Sequence, residues 1–593
     1  MENRKAKVDP VTARVIGGAL ENIAIEMGHK LARMSYSSII RESEDFGAAL
    51  LDTRGRQLAE SSDSTPLQLG PIPGYMRGIF RVMEERRDGF EPGDVIMHNS
   101  PYHGASHGPD VGFCVPVFRG KELIGFSFTT AHHLDIGALH PGSTGIVDAV
   151  DAYAEGLQFK ALKVYEAGRK NEAVWQILRD NIRAPEMVVG DMEAQIAACR
   201  LGAERFVELV EHYGMEQVNA ASEELMDYSE RMLRSRIEEL EDGTYYAEGF
   251  IDGYPDSPNE DEKDLKIAVT LTIDGSDIHV DFTGTAAQVD LPINMPFEGT
   301  VDVAVYLTVR SILLDSALTE YVPQNDGLTR PVYITSPTGI LTNPSFPAPT
   351  IARFCPGNIV ADTVMRALSQ VVPQNVSAGV GNLKVIAYSG LKGENYWVYM
   401  DITEGSYGGR YGKDGMDAVD TLFANTRNNP AEDIESHYPL RVERYELRED
   451  AAGPGKWRGG VGSIREISFL EGGRFCLEGD GHRFAPWGAF GGKAGTPGDL
   501  VLNPKTEREE HLPSKIPDRR TKAGDTVRTV SPCGGGYGDP LERDPERVLN
   551  DVLDGIVSKR NAREQYGVVL SDGTVDAGAT EGLRRELRGR SIG

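Results

Sequence analysis

At 593 residues the chain is too long for a single hydrophobic core, and about three to five units are expected. Its 40% hydrophobic and 26% charged residues exclude a disordered chain. The 90 acidic against 62 basic residues leave a net charge of −28, a field that repels phosphate backbones and anionic lipid, so neither nucleic acid nor a membrane is expected as partner.

The polar start, Met1 to Lys7, and the lack of an uninterrupted apolar run of about 18 residues predict neither a secretory leader nor a membrane span. Five scattered cysteines (Cys114, Cys199, Cys355, Cys476, Cys533) without a Cys-x-x-Cys pair point to a reducing cytoplasm, not to a disulfide framework.

Asp9-Pro10 reads as N-cap and N1 of a helix. Ile16, Leu20, Ile23, Met27, Leu31 and Met34 continue it at steps of three and four, to about Ser35. A strand is predicted at Ala48 to Leu51 before the turn Asp52 to Gly55, and another at Val95 to Met97. Val115 to Phe118 and Leu123 to Thr129 flank Arg119-Gly120-Lys121-Glu122 as a hairpin. The pattern is helical from about Ala173 to Leu240, with Ile196, Cys199, Phe206, Leu209 and Val210 as core candidates. A second hairpin surrounds Asp274-Gly275, and Pro331 to Pro349 reads as an ordered loop without helical period.

Beyond Val385 the chain is Gly-rich with short strands; Gly405 to Gly415 and Gly534 to Pro540 mark tight turns or close backbone packing. Pro545 to Gly567 reads as a short amphipathic helical unit. The predicted fold class is α+β: multidomain, with mixed and antiparallel sheets, a helical segment and a Gly-rich β C-terminal region. Expected boundaries are an N-terminal α/β metal-site domain over 1–165, a helical segment over 166–245, an α+β domain over 246–430, a Gly-rich β domain over 431–545 and a helical tail over 546–593.

Six of the twelve histidines fall between His98 and His140. His107 and Asp110, spaced His-x-x-Asp, lie on a loop before the first hairpin strand, and His132 lies at the end of the second. Antiparallel pairing brings those ends together. Two imidazoles with one or two carboxylates suit Zn, Mn or Fe(II), with a position left for water or substrate. Asp45 is a further candidate oxygen ligand, and His133 or Asp135 a partner that fixes a ligand's tautomer. The competing reading, turn and cap residues in a polar cleft, suits any single histidine better than the whole cluster.

Nucleophile signals are weaker. There is no Gly-x-Ser-x-Gly elbow, and Cys355 reads as a buried structural thiol. Gly488 to Ala494 has the wrong spacing for a P-loop, and Ala494 stands where Ser or Thr is needed. If the reaction uses ATP, another chain must bind it.

Several segments carry a resemblance: Arg41-Glu42-Ser43-x-Asp45-Phe46, Asn99-Ser100-Pro101-Tyr102 with His107-x-x-Asp110, and Ala131-His132-His133-x-Asp135-Ile136-Gly137. With Asn325-Asp326-Gly327, Asn425 to Asn428, Tyr438 to Tyr445, Gly459 to Gly462 and Gly534 to Pro540, they span nearly the whole chain in order. The sequence resembles the hydantoinase B/oxoprolinase family. That resemblance implies a cytoplasmic hetero-oligomer with a hydantoinase A-type subunit, which holds ATP and Mg and phosphorylates a carbonyl oxygen of a small-molecule substrate.

It also implies metal ligands His107, Asp110 and His132, with Asp45 added here, and His133 and Asp135 as catalytic proton carriers. The expected activity is ATP-dependent ring opening of a hydantoin, oxoproline or lactam. The alternative is the matching subunit of an acetone- or acetophenone-type carboxylase; acetone carboxylase subunits tend to be longer than this chain. A non-catalytic scaffold is a third reading. The chain departs from the common form at Ser100, where Asp is frequent, and at His103 and Ala105, which puts substrate and metal preference in question more than the site itself.

Overall fold

In a computed structural model the described residues are 8–142, 147–255, 257–314, 321–422 and 424–590. Residues 1–7, whose polarity argues against a leader, lie outside them. Helix α1 (Pro10–Met34) starts where Asp9 Oδ1 accepts from the amides of Val11 and Thr12, at 3.1 and 3.0 Å. Its stripe Ile16, Leu20, Ile23, Met27 and Leu31 is buried.

The first sheet comprises β1 (Phe46–Leu51), β2 (Gln57–Glu60), β3 (Val95–His98), β4 (Asp110–Arg119), β5 (Glu122–His132), β6 (Leu162–Glu166) and β7 (Arg169–Lys170), in the spatial order β2-β1-β5-β4-β3-β6-β7. Both of its faces are covered, so β1 reads as a continuous apolar run and is buried along its whole length. Ala48 and Leu50 pack with α1 and with helix 185–213; Ala49 and Leu51 pack with Tyr75, Met76 and Ile79 of helix 72–86.

Helix α2 (Ile72–Arg86) carries glycines where it meets the turn Pro101–Gly104. A Cβ on Gly78 would sit 1.6 Å from the His103 carbonyl oxygen, and one on Gly104 (φ 92°) would sit 2.1 Å from that of Gly74. Only bare backbone lets the two segments approach, and their contact seats the loop that follows, which bears His107.

Helices α3 (Pro185–Tyr213) and α4 (Met215–Ile237) follow, α3 lying across β4 and β5. The second sheet joins β8 (Gly243–Asp252), β9 (Asp264–Asp274), β10 (Asp277–Asp281) and, after helix α5 (Asp302–Leu313), β11 (Val332–Thr335). Here the loop reading of 331–349 is corrected: Val332–Thr335 pairs in parallel with β10. Four residues set among prolines and threonines are too few for alternation to register in sequence. Helix α6 (Phe354–Leu368) packs on β8 and β9.

The Gly-rich half holds β12 (Lys384–Lys392), β13 (Asn395–Thr403), β14 (Leu440–Leu447), β15 (Ser463–Phe469), β16 (Gly473–Glu478), β17 (Asp499–Leu502), β18 (Glu510–Leu512), β19 (Lys515–Thr521) and β20 (Thr526–Val530). They form the sheets β13-β12-β16-β19 and β14-β15-β20-β17-β18, which share a core of Tyr388, Tyr399, Phe469, Phe475, Leu477 and Val527. The glycine run threads between backbones, since a Cβ on Gly534 would stand 2.2 Å from the Tyr407 carbonyl oxygen. Helices α7 (Pro545–Leu553) and α8 (Lys559–Tyr566), N-capped by Asp544 and Ser558, and then α9 (Ala577–Arg590) form the tail. The fold is α+β with mixed and antiparallel sheets. Among the described residues, no helix is long and apolar enough to cross a membrane.

Candidate metal centre

The hairpin register pairs Asp110 with His132 directly across β4 and β5. His107 sits three residues ahead of Asp110, and one ligand atom from each of His107, Asp110 and His132 lies within 4.8 Å of the others. All three side chains are buried. Asp110 Oδ1 is 2.9 Å from both His107 Nε2 and His132 Nδ1, and Oδ2 accepts from Ser106 Oγ at 2.6 Å and Arg353 Nη2 at 2.7 Å.

The protons do not balance around this group. His107 Nδ1 is 2.8 Å from the Ile351 carbonyl oxygen, which can only accept, so a neutral His107 carries its proton on Nδ1. Its Nε2 lone pair then faces a carboxylate oxygen across 2.9 Å with nothing to donate. His132 Nε2 is likewise buried without a hydrogen-bond partner. Burial, and after it the Arg353 guanidinium, drives the His107 pKa down to about 4. Burial also opposes ionisation of Asp110, but His107, His132 and Arg353 outweigh it and hold that carboxyl well below the usual carboxylate range. Bare imidazole nitrogens around an ionised carboxylate are a cation's donor set, and the residues fit a borderline divalent metal.

Asp45 is near but bound otherwise. Its Oδ1 accepts from Gln68 Nε2 at 3.1 Å and Thr65 Oγ1 at 3.4 Å, while its carbonyl oxygen accepts from the His132 amide. Burial raises its carboxyl to about 6, His132 opposing and Asp110 adding to the rise. His133 Nε2 lies 2.8 Å from Gln195 Oε1, and Gln195 Nε2 donates to the Val111 carbonyl, so His133 is protonated on Nε2 and its buried Nδ1 has no partner. The Asp135 carboxylate accepts from the Arg183 amide at 2.5 Å and from Arg183 Nη1 at 2.8 Å, an ion pair that holds the loop.

The remaining histidines of the cluster have local duties. His98 accepts from the Ala161 amide and donates to the His103 carbonyl oxygen. His103 Nδ1 is 3.0 Å from Ser100 Oγ, so two of the departures noted in sequence are mutual partners. His140 pairs with Asp148. All five cysteines are free and buried, and burial drives the Cys355 thiol well above its usual range, which removes it as a nucleophile.

Three contributors come from far along the chain: Arg353, the Ile351 carbonyl and Glu155. The Thr350 and Ile351 amides both donate to Glu155 Oε1, the second at 2.7 Å, and so fix the carbonyl that orients His107. Burial lifts the Glu155 carboxyl from 4.5 to about 8 despite these bonds. The unfolded chain therefore ionises from about 4.5 while the folded chain keeps its proton to about 8. Stability is full below that window and falls as pH rises through it, by about 1.4 kcal/mol per pH unit. Glu155→Gln keeps the Oε1-type acceptor and removes the titration. Its stability gain over wild type, read from urea midpoints, is expected to grow from about pH 5 to about pH 8; an equal gain at both would show a normally titrating carboxyl.

Relatives of known name cover the whole chain, the centre included. The chain is 66% identical over 582 residues to the B subunit of a "Putative D-/L-hydantoinase" from Pseudomonas sp. (strain NS671), covering 98% of each. The crystal structure of the ATP-dependent caprolactamase from Pseudomonas jessenii superposes with a TM-score of 0.88 at 30% identity, over 98% of this chain and 100% of that one. A nucleotide-free acetone carboxylase structure shares the fold at a TM-score of 0.87 and 19% identity, over 98% and 83%. The family model for hydantoinase B/oxoprolinase matches residues 9–540, through every segment that builds the centre, and the chain belongs to that family.

Proposed function

We propose that this chain is the metal-bearing B-type subunit of an ATP-dependent cyclic-amide hydrolase that opens hydantoin rings together with an A-type, ATP-binding subunit. The observation that carries the reading is the pair of bare, buried imidazole nitrogens on His107 and His132 around Asp110. The full-length relative named as a hydantoinase subunit supports hydantoin over other rings, and its subunit name supports a partner. A ring amide is a poor electrophile until its oxygen is activated, and this sequence offers no phosphate cradle, so ATP and Mg are assigned to the partner.

His107, Asp110 and His132 would hold a Zn, Mn or Fe(II) ion, which would supply Lewis acidity there. Asp45 is the further donor we assign: its Oδ1 is held by Gln68 and Thr65, so it would turn from them to reach the ion, and its charge acts on both His132 and Asp110. Arg353 keeps Asp110 ionised, and the Ile351 carbonyl keeps Nε2 of His107 free of its proton. His133, with Nδ1 unpartnered and Nε2–H held by Gln195, is the group we assign to accept a proton. Asp135 and Arg183 hold the turn that follows it.

Co-expression with an A-type subunit tests the reading. ATP hydrolysis is expected to depend on an added hydantoin and to match the ring-opened ureido acid formed. Lactams and ketones are assayed in parallel. Ketone-dependent incorporation of labelled bicarbonate into a new acid would replace the hydrolase by a carboxylase.

A further inference from the structure

A cavity of about 270 Å³ lies between α5, the C-terminal half of α6 and the loop 405–416. It is separate from the metal centre. Arg353, the N-cap of α6 on Asp110, and Met365, on the cavity wall, are twelve helical steps apart, roughly 18 Å at the helical rise. Leu307, Ile312, Met365, Tyr407 and Met416 make the wall apolar. Three of its polar members are already partnered: Thr308 Oγ1 donates to the Ala304 carbonyl, Asn375 Nδ2 to that of Ile312, and Ser377 Oγ to Met365 Sδ.

Three charged residues line this cavity, Arg410, Lys413 and Asp414. Arg410 and Lys413 line it from a tight turn, the amide of each donating to the carbonyl of the other at 3.0 and 3.1 Å. Gly412, at φ 81°, makes that turn possible. Both side chains are exposed, and among the described residues neither has an acidic partner. The nearby acid, Asp414, is committed: its two oxygens accept from Arg543 at 2.6 and 2.9 Å. Two cations without an acidic partner among the described residues stand out in a chain of net charge −28. An apolar pocket at the small end of the ligand-site range, with convergent cations, selects a compact amphiphilic anion, and the arginine fork matches a carboxylate.

We propose that this cavity is a second ligand site, taking a small amphiphilic carboxylate with its apolar body against Leu307, Met365 and Met416 and its carboxylate on Arg410 and Lys413. Two sources share that chemistry: the acid released by ring opening, which rests on the function proposed above, and an aliphatic or aryl carboxylate of independent origin.

Calorimetric titration of the full chain with 4-phenylbutyrate and with N-carbamoyl-phenylalanine tests it, with 4-phenylbutanamide as the neutral control. Each carboxylate that binds is expected to saturate at one per chain, at least tenfold tighter than the amide, and to weaken with added salt. Tighter binding of the ureido acid assigns the site to product; binding of 4-phenylbutyrate alone assigns it to an independent carboxylate. The double variant Arg410→Gln/Lys413→Gln, both at exposed positions, is expected to lose the tenfold preference over the amide. Met416→Glu, also exposed, is expected to weaken carboxylate binding at least tenfold. His107→Ala leaves 4-phenylbutyrate binding unchanged, so failure of the hydrolase reading does not touch this one. No binding of either carboxylate, equal binding of the amide, or unchanged affinity in both cavity variants overturns the proposal.

Discussion

Arg353→Met is expected to destabilise the chain by roughly 3–5 kcal/mol, the cost of leaving a buried charge without its partner. Arg353 and Asp110 are each about 1% exposed, and their 2.7 Å ion pair joins the N-cap of α6 to the start of β4. Removing the guanidinium strands Asp110 Oδ2 in a site with little water, leaving it only the Ser106 hydroxyl. A urea titration of the metal-free chain reads the loss as a lower midpoint. The partner-matched double variant, Arg353→Met with Asp110→Asn, is expected to recover part of it, because neither buried charge then remains. Arg353→Lys keeps the charge on a different geometry and is expected to fall between. A single Arg353→Met variant within about 0.5 kcal/mol of wild type would mean that the pair is not buried in solution.

The parts of the fold that are legible in sequence are those with a local signature. Asp9-Pro10 and the stripe from Ile16 to Leu31 mark α1 because capping and helical period are written in adjacent residues. The hairpin turn pairs Arg119 with Glu122, a register that alone would set Asp110 opposite Ala131; a bulge between Val117 and Phe118 shifts it by one residue and places Asp110 opposite His132. The turn thus makes legible that the two strand ends meet, and a three-residue offset ties His107 to Asp110, but the bulge that puts Asp110 and His132 face to face has no signature in the sequence.

What is not legible is the shell that decides how those groups behave. Arg353, Ile351 and Glu155 lie far from the ligands in sequence, and no spacing links them. The stretch Arg353-Phe354-Cys355 draws notice for its thiol, yet the thiol is buried and inert while the guanidinium sets the charge of the centre. The same holds for Asp135. Its place beside His132 and His133 suggests a proton carrier, but Arg183, 48 residues on, takes the carboxylate. Burial and long-range pairing assign these roles, and neither is visible in a local pattern.

His107→Ala and His132→Ala are expected to remove the bound metal and, with it, turnover of the assembled enzyme by more than about 100-fold. Loss of an outer-shell partner costs roughly 10- to 100-fold, and these side chains are assigned as the ligands themselves. Each substitution removes a bare nitrogen from the clustered three, leaving one imidazole, Asp110 and the assigned Asp45, whose Oδ1 is held by Gln68 and Thr65. Metal content by mass spectrometry, after purification without chelators, is the direct measure, and intact assembly with the partner is the control. Chelator treatment of wild type is expected to give the same loss, reversed by Zn²⁺ or Mn²⁺, whereas the variants should not recover. Gln195→Leu separates binding from proton transfer: it frees His133 Nε2 without touching a ligand, so metal content should stay at wild type while the pH profile of turnover shifts. Full turnover in assembled, metal-free His107→Ala would leave the chain as a scaffold and move the chemistry to its partner.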